Sequence, residues 1–166
     1  MKAKSLSPEE MPPSVANANP ARNRILVVDD DASVREMLAR VLVGEGYLVW
    51  PAADGKAALE IVAAQKIDLV LLDLNLPRES GWEIFEKLTL KNPLLTVIII
   101  TARSNQLFTA LGAGVGALLE KPLNFPKLLQ TISRLLAEPE ESRRARLAGD
   151  SVDFQYLHAS KKTQKS

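Results

Sequence analysis

Five polar residues stop otherwise apolar runs. Asp29 and Asp30 follow Ile25-Leu26-Val27-Val28, Asp73 closes the run ending Leu71-Leu72, Thr101 closes the run ending Ile99-Ile100, and Lys121 follows Ala117-Leu118-Leu119-Glu120. Three carboxylates brought close together repel one another and raise one another's pKa unless a cation lies between them. A hard divalent ion, Mg2+ above all, meets that need with oxygen ligands and leaves positions for water and a phosphoryl oxygen. Lys121 can pair with such an oxygen as a point charge, and Pro122 restricts the backbone before it. Thr101 supplies a hydroxyl, and the small Ala102 leaves a path of approach. Phosphoryl transfer asks mainly for positioning and charge stabilisation, with Asp73 as the nucleophile.

Taken singly, each residue has an ordinary structural use. Asp29-Asp30-Asp31 is a good cap and acidic first turn for a helix. Asp73 can end a strand in a turn, Thr101 is β-branched, and most lysines are solvated. The chemistry rests on their joint placement.

The elements that must supply that placement alternate along the chain. Residues 25–28 form a short run without a polar break, as in a strand buried on both faces. Val34, Met37, Leu38, Val41 and Leu42 recur at helical steps and stop at Gly44 or Gly46. Further strands are predicted at 47–52, 68–72, 96–100 and 117–119, with Pro51 marking an end or an edge. Helices are predicted at about 56–64, 81–90, 104–111 and 125–137, the last with Asn124 as N-cap and Pro126 in its first turn. Five strand–helix units imply a parallel sheet covered on both faces, with function at the carboxyl ends of the strands.

Residues 1–22 carry Pro8, Pro12, Pro13 and Pro20 among small polar residues and are expected to be a disordered extension. The folded domain is expected to span 23–138. In the tail, 139–166, Glu140 and Glu141 precede Arg143, Arg144 and Arg146, which predicts a short helix complementing its own dipole, with disorder beyond. Val152, Phe154, Tyr156 and Leu157 add apolar weight there and predict docking on the domain itself or on a partner. His158 is assigned no role.

The whole chain excludes several classes. With 166 residues, 46% hydrophobic and 25% charged, it suits one globular core. The net charge of +1 offers no field selecting nucleic acid or an acidic membrane. Absence of cysteine removes disulfides and thiolate chemistry and agrees with a cytoplasmic location. The apolar stretches at 69–76 and 94–102 are too short to span a bilayer, and residues 5–23 lack a signal peptide's apolar segment. Trp50 and Trp82 are expected against the sheet or its loops rather than as a nucleic-acid platform.

From Arg24 to Ala137 these residues resemble the receiver domain of two-component response regulators. The resemblance is carried by Ile25-Leu26-Val27-Val28-Asp29-Asp30-Asp31, Asp73-Leu74-Asn75-Leu76-Pro77 with Gly81, Thr101-Ala102 and Lys121-Pro122. It implies an α/β, flavodoxin-like (βα)5 doubly wound parallel sheet in the order 2-1-3-4-5. It also implies Asp73 as phosphoacceptor and a Mg2+ site made by Asp30 directly, Asp29 through water, Asp73 and the Asn75 backbone carbonyl. Thr101 resembles the switch hydroxyl and Lys121 the phosphate-pairing lysine, while Asn75 and Arg103 fall where family members tune phosphoryl lifetime. The sequence departs at Leu118, where many members carry the aromatic partner of the switch threonine.

The expected function is that of a single-domain response regulator. It takes a phosphoryl group from a sensor histidine kinase or a histidine phosphotransfer protein and switches its binding to a downstream protein. A phosphorylation-dependent homodimer is a further expectation, and turnover catalysis is not. The alternative is a receiver-like docking module without phosphorylation. An aspartyl-phosphate phosphatase of the dehalogenase class is disfavoured, because Asp73-Leu74-Asn75 lacks that class's second acid.

Overall fold

The computed structural model describes residues 22–103, 105–149 and 154–159. The apolar runs become β1 (Arg24–Val28), β3 (Leu69–Asp73) and β4 (Thr96–Thr101), and only Arg24 among their residues is not fully buried. Strands without a solvent face need a layer on each side. Helices α1 (Ala32–Gly44) and α5 (Phe125–Leu136) supply one layer, where Leu38, Leu42, Leu128, Ile132 and Leu135 meet Ile25, Val27, Leu69, Leu71, Ile98 and Ile100. Helices α2 (Gly55–Ala64), α3 (Gly81–Lys91) and α4 (Leu107–Ala113) supply the other, where Ala58, Ile84, Phe85, Leu88 and Ala110 meet Leu26, Val28, Val70, Leu72, Ile99 and Leu118. Successive side chains of one strand thus feed opposite cores. Each fully buried Leu or Ile stabilises the fold by about 2 kcal/mol relative to an exposed one.

With β2 (Leu48–Ala52) and β5 (Ala117–Glu120), all strand pairs are parallel and the predicted order β2-β1-β3-β4-β5 holds. Pro51 is exposed on the edge strand β2, where a missing donor is tolerated. The helix starts are fixed by side-chain caps. Asp31 accepts from the Ser33 and Val34 N–H groups, Asp54 from Ala57, Ser80 from Trp82 and Asn124 from Lys127. After α1 the chain turns at Gly46, whose φ of +93° suits glycine.

The far edge departs from expectation. Helix α6 (Glu140–Leu147) forms as predicted, but residues 155–157 are not disordered: they form β6 (Gln155–Leu157), a sixth strand parallel to β5. Without it β5 would present an open row of backbone donors and acceptors. Phe154 and Tyr156 pack on one core and Leu157 on the other, so this part of the tail docks on its own domain. The expected extension at 1–21, Val152 and Ser104 lie outside the described residues. Helix α4 begins at Leu107 rather than 104.

Candidate functional site

The strand ends bring Asp29, Asp30 and Asp73 together: each presents a carboxylate oxygen, and these oxygens lie within 4.8 Å of one another. Asp29 and Asp73 are buried, with 2% and 3% of their surface exposed, whereas Asp30 faces solvent. The three consecutive aspartates therefore divide their work, with Asp31 capping α1 and the other two lining the pocket.

Backbone geometry aims the buried pair. Asp29 Oδ1 accepts from the Asp31 N–H at 2.9 Å, and Asp73 Oδ1 accepts from the Asn75 N–H at 2.9 Å. The Lys121 ammonium then donates to the remaining oxygens, 3.2 Å to Asp29 Oδ2 and 3.0 Å to Asp73 Oδ2. Lys121 is carried there by the end of β5, where its N–H donates to the Thr101 carbonyl at 2.8 Å; its peptide bond to Pro122 is cis. Thr101 is fully buried at the end of β4, beside β3, and its hydroxyl accepts from the Arg103 N–H at 3.0 Å. Ala102 and Asn75 are exposed, which leaves the pocket open toward solvent on their side.

Burial raises the Asp29 pKa, and the Asp73 charge adds to the rise, while the Asp31 N–H and Lys121 only partly offset it. For Lys121 burial favours the neutral amine, but hydrogen bonds and charge attraction to Asp73 and Asp29 outweigh it and raise its pKa. Lys121 is thus an ammonium, and it supplies one positive charge to a pocket of three carboxylates. An oxygen-seeking divalent ion fits the remaining imbalance.

The sequence-predicted residues Asp29, Asp30, Asp73, Asn75, Thr101 and Lys121 all reach this end of the sheet. Three contacts were not foreseen. Arg35 Nη1 donates to the Asp29 carbonyl at 2.7 Å and steadies the β1–α1 turn. Trp82 Nε1 donates to Gln106 Oε1 at 2.9 Å, joining α3 to the loop after β4. Glu120 accepts from the Ala159 N–H in the tail. All three are long-range or conformational pairings that no spacing motif marks. Leu118 is fully buried and lies in register with Tyr156 of β6.

Comparison with known proteins agrees with this arrangement. The profile of the response regulator receiver domain matches residues 25–133. Response regulator MprA of Mycolicibacterium vanbaalenii is 40% identical over 115 residues, covering 68% of this chain and 50% of that protein. Its counterpart in Mycobacterium ulcerans is 39% identical over 131 residues, covering 78% of this chain and 54% of that protein. The chain spans about half the length of these curated relatives. Among solved structures, a CheY-like receiver domain protein from Methanospirillum hungatei superposes with a TM-score of 0.69 at 32% identity, covering 73% of this chain and 98% of that one. The response regulator TrrA of Thermotoga maritima, solved in complex with Mg2+ and BeF, gives 0.63 at 33% identity, covering 68% and 98%. This chain belongs to the response regulator receiver domain family, a signalling module of two-component systems rather than a turnover enzyme. Among the described residues no helix is long and apolar enough to cross a membrane.

Proposed function

We propose that this receiver accepts a phosphoryl group on Asp73 and thereby changes its affinity for another protein. One observation carries the reading: Asp73 shares a carboxylate cluster with Asp29 and Asp30 while Lys121 holds its Oδ2 at 3.0 Å. The donor is a phosphohistidine on a sensor histidine kinase or a phosphotransfer protein, the partner class that two-component membership implies. An Asp73 oxygen forms the new bond to phosphorus. The phosphorus–nitrogen bond breaks, and its electron pair returns to the imidazole, which takes a proton from solvent.

Asp29, Asp30, Asp73 and the Asn75 carbonyl would hold Mg2+, which when bound supplies charge neutralisation and oxygen coordination. That the relative TrrA was solved with Mg2+ and BeF supports the same assignment here. Lys121 turns from the Asp29–Asp73 pair to an incoming phosphoryl oxygen, and the Thr101 hydroxyl leaves the Arg103 N–H for another. Ala102, exposed and small, leaves the nucleophile accessible to the donor. The cytoplasmic location belongs to the same proposal, as does a phosphorylation-dependent homodimer.

Acetyl phosphate with Mg2+ should add one phosphoryl group to the protein, seen as an intact-mass increase. Asp73→Ala should show none. Equal labelling of that variant would contradict the proposal.

A further inference from the structure

Besides its pairing with β5 and its apolar packing, strand β6 is held by side-chain attachments of unequal strength at its two ends. At its start, the Gln155 side-chain oxygen accepts from Arg134 Nη2 at 3.0 Å, from Arg134 Nε at 3.2 Å and from the Thr131 hydroxyl at 3.3 Å, all on α5. Beyond its end, the Ala159 N–H donates to Glu120 Oε2 at 3.3 Å. The other Glu120 oxygen, Oε1, is buried without a hydrogen-bond partner among the described residues. A buried, half-satisfied carboxylate is costly, and water can satisfy it once the segment above it lifts. The strand is therefore hinged at Gln155 and weakly latched at Glu120. Three paired residues make a small cooperative unit, of the kind that opens without unfolding the rest.

The latch is joined to the acid pocket by one peptide bond. Lys121 follows Glu120 directly. Glu120 is the register partner of Thr101, and the Lys121 N–H donates to the Thr101 carbonyl at 2.8 Å. Neighbouring strand residues point to opposite sides, so the Lys121 ammonium enters the pocket while the Glu120 carboxylate reaches the tail. Lys121 and Thr101 thus share the backbone segment that carries Glu120 to Ala159.

We propose that residues 154–159 are a releasable strap over the edge of β5, closed when Lys121 bridges Asp29 and Asp73 and opened when a phosphoryl group at Asp73 draws Lys121 and Thr101 to itself. This rests on the phosphoacceptor reading of Asp73. Opening removes Tyr156 and Leu157 from beside Leu118 and Leu119 and frees the backbone edge of Ala117–Leu119. Phosphorylation then acts by taking this chain's own strand off its sheet. Linkage requires the converse: an open strap must favour loading of the pocket.

Hydrogen–deuterium exchange on the full chain, with Mg2+ alone and with Mg2+ plus beryllofluoride, tests the strap. Loading is scored separately by the thermal shift that beryllofluoride produces. Exchange at residues 155–159 should rise roughly fivefold on loading, while β1 and β3 stay protected. Ala159→Pro, which lacks the donor N–H, should show the faster exchange at 155–158 without beryllofluoride and should bind beryllofluoride roughly fivefold more tightly. A loaded pocket with unchanged exchange at 155–159, or an Ala159→Pro protein with unchanged affinity, overturns the strap and leaves the phosphoacceptor reading intact. Absence of any loading overturns both.

Discussion

Asp29 and Asp73 are held in matching fashion: Oδ1 of each accepts a backbone N–H two residues on at 2.9 Å, and Oδ2 of each accepts from Lys121, at 3.2 and 3.0 Å. The pair is thus oriented by local turns and neutralised by a side chain from a distant strand. Orientation survives loss of Lys121, whereas neutralisation does not.

Lys121→Met should therefore lower the stability of the metal-free protein by about 2 kcal/mol, because two buried carboxylates lose their counter-charge. The partial exposure of Lys121, 28% of its side chain, keeps the cost below that of a fully buried pair. Mg2+ should restore more stability to the variant than to the wild type. Urea melts with and without Mg2+ measure both quantities, and identical midpoints for the two metal-free proteins would refute the assignment.

The raised pKa of Asp29 sets a pH dependence with a definite sign. Its folded pKa lies above its unfolded one, so the group's contribution to metal-free stability is fully present below the unfolded value and is lost as pH rises through the folded value. Mg2+ binding runs the other way, since the ion competes with a proton that Asp29 holds more tightly than an ordinary carboxyl does. Titration calorimetry should show Mg2+ affinity weakening as pH falls toward the carboxyl range, with the loss setting in at a higher pH than an ordinary aspartate would give. Asp29→Asn should remove much of that slope along with most of the affinity.

Gly81 is required by close approach rather than by its dihedrals. A Cβ there would lie 2.5 Å from Leu74 Cα and 2.9 Å from the Asp73 carbonyl, both backbone atoms next to the nucleophile. Gly81→Ala should cost about 2 kcal/mol and weaken Mg2+ binding by displacing Asp73. A variant with wild-type melting temperature and Mg2+ affinity would show that the loop can yield.

Arg146 ties α6 to the domain. It is 6% exposed, donates through Nη1 to the Gly114 carbonyl at 2.7 Å, and meets Glu138 through Nη2 at 3.0 Å and Nε at 3.4 Å. Arg146→Ala strands a nearly buried Glu138 carboxylate and should destabilise the protein by about 3 kcal/mol. Arg146→Lys should recover only part, because it cannot make the forked contact. Thermal denaturation of both variants checks the order.

Arg146 also shows where sequence reading reaches its limit. Acid-first, base-last order at 140–146 located α6, yet that pattern assigns every arginine to the helix dipole, and only tertiary contacts turn Arg146 inward. The central strands were legible because burial on both faces leaves no polar residue to confuse the period. The pocket was legible because Asp73, Thr101 and Lys121 each end such a run. Strand β6 was not, since Gln155-Tyr156-Leu157 has no period of its own and owes its pairing to the edge of β5. Nor does a run of three aspartates say which one caps the helix.

On the proposed function Asp73, and not a neighbouring carboxylate, receives the phosphoryl group. Borohydride reduces an aspartyl phosphate to homoserine, so peptide mass spectrometry of the protein treated with acetyl phosphate and Mg2+, then reduced, reads the site directly. Homoserine is expected at position 73 alone, with formation dependent on Mg2+. Homoserine at position 29 or 30, or an unmodified peptide spanning residue 73 in protein that carries a phosphoryl group, would contradict it.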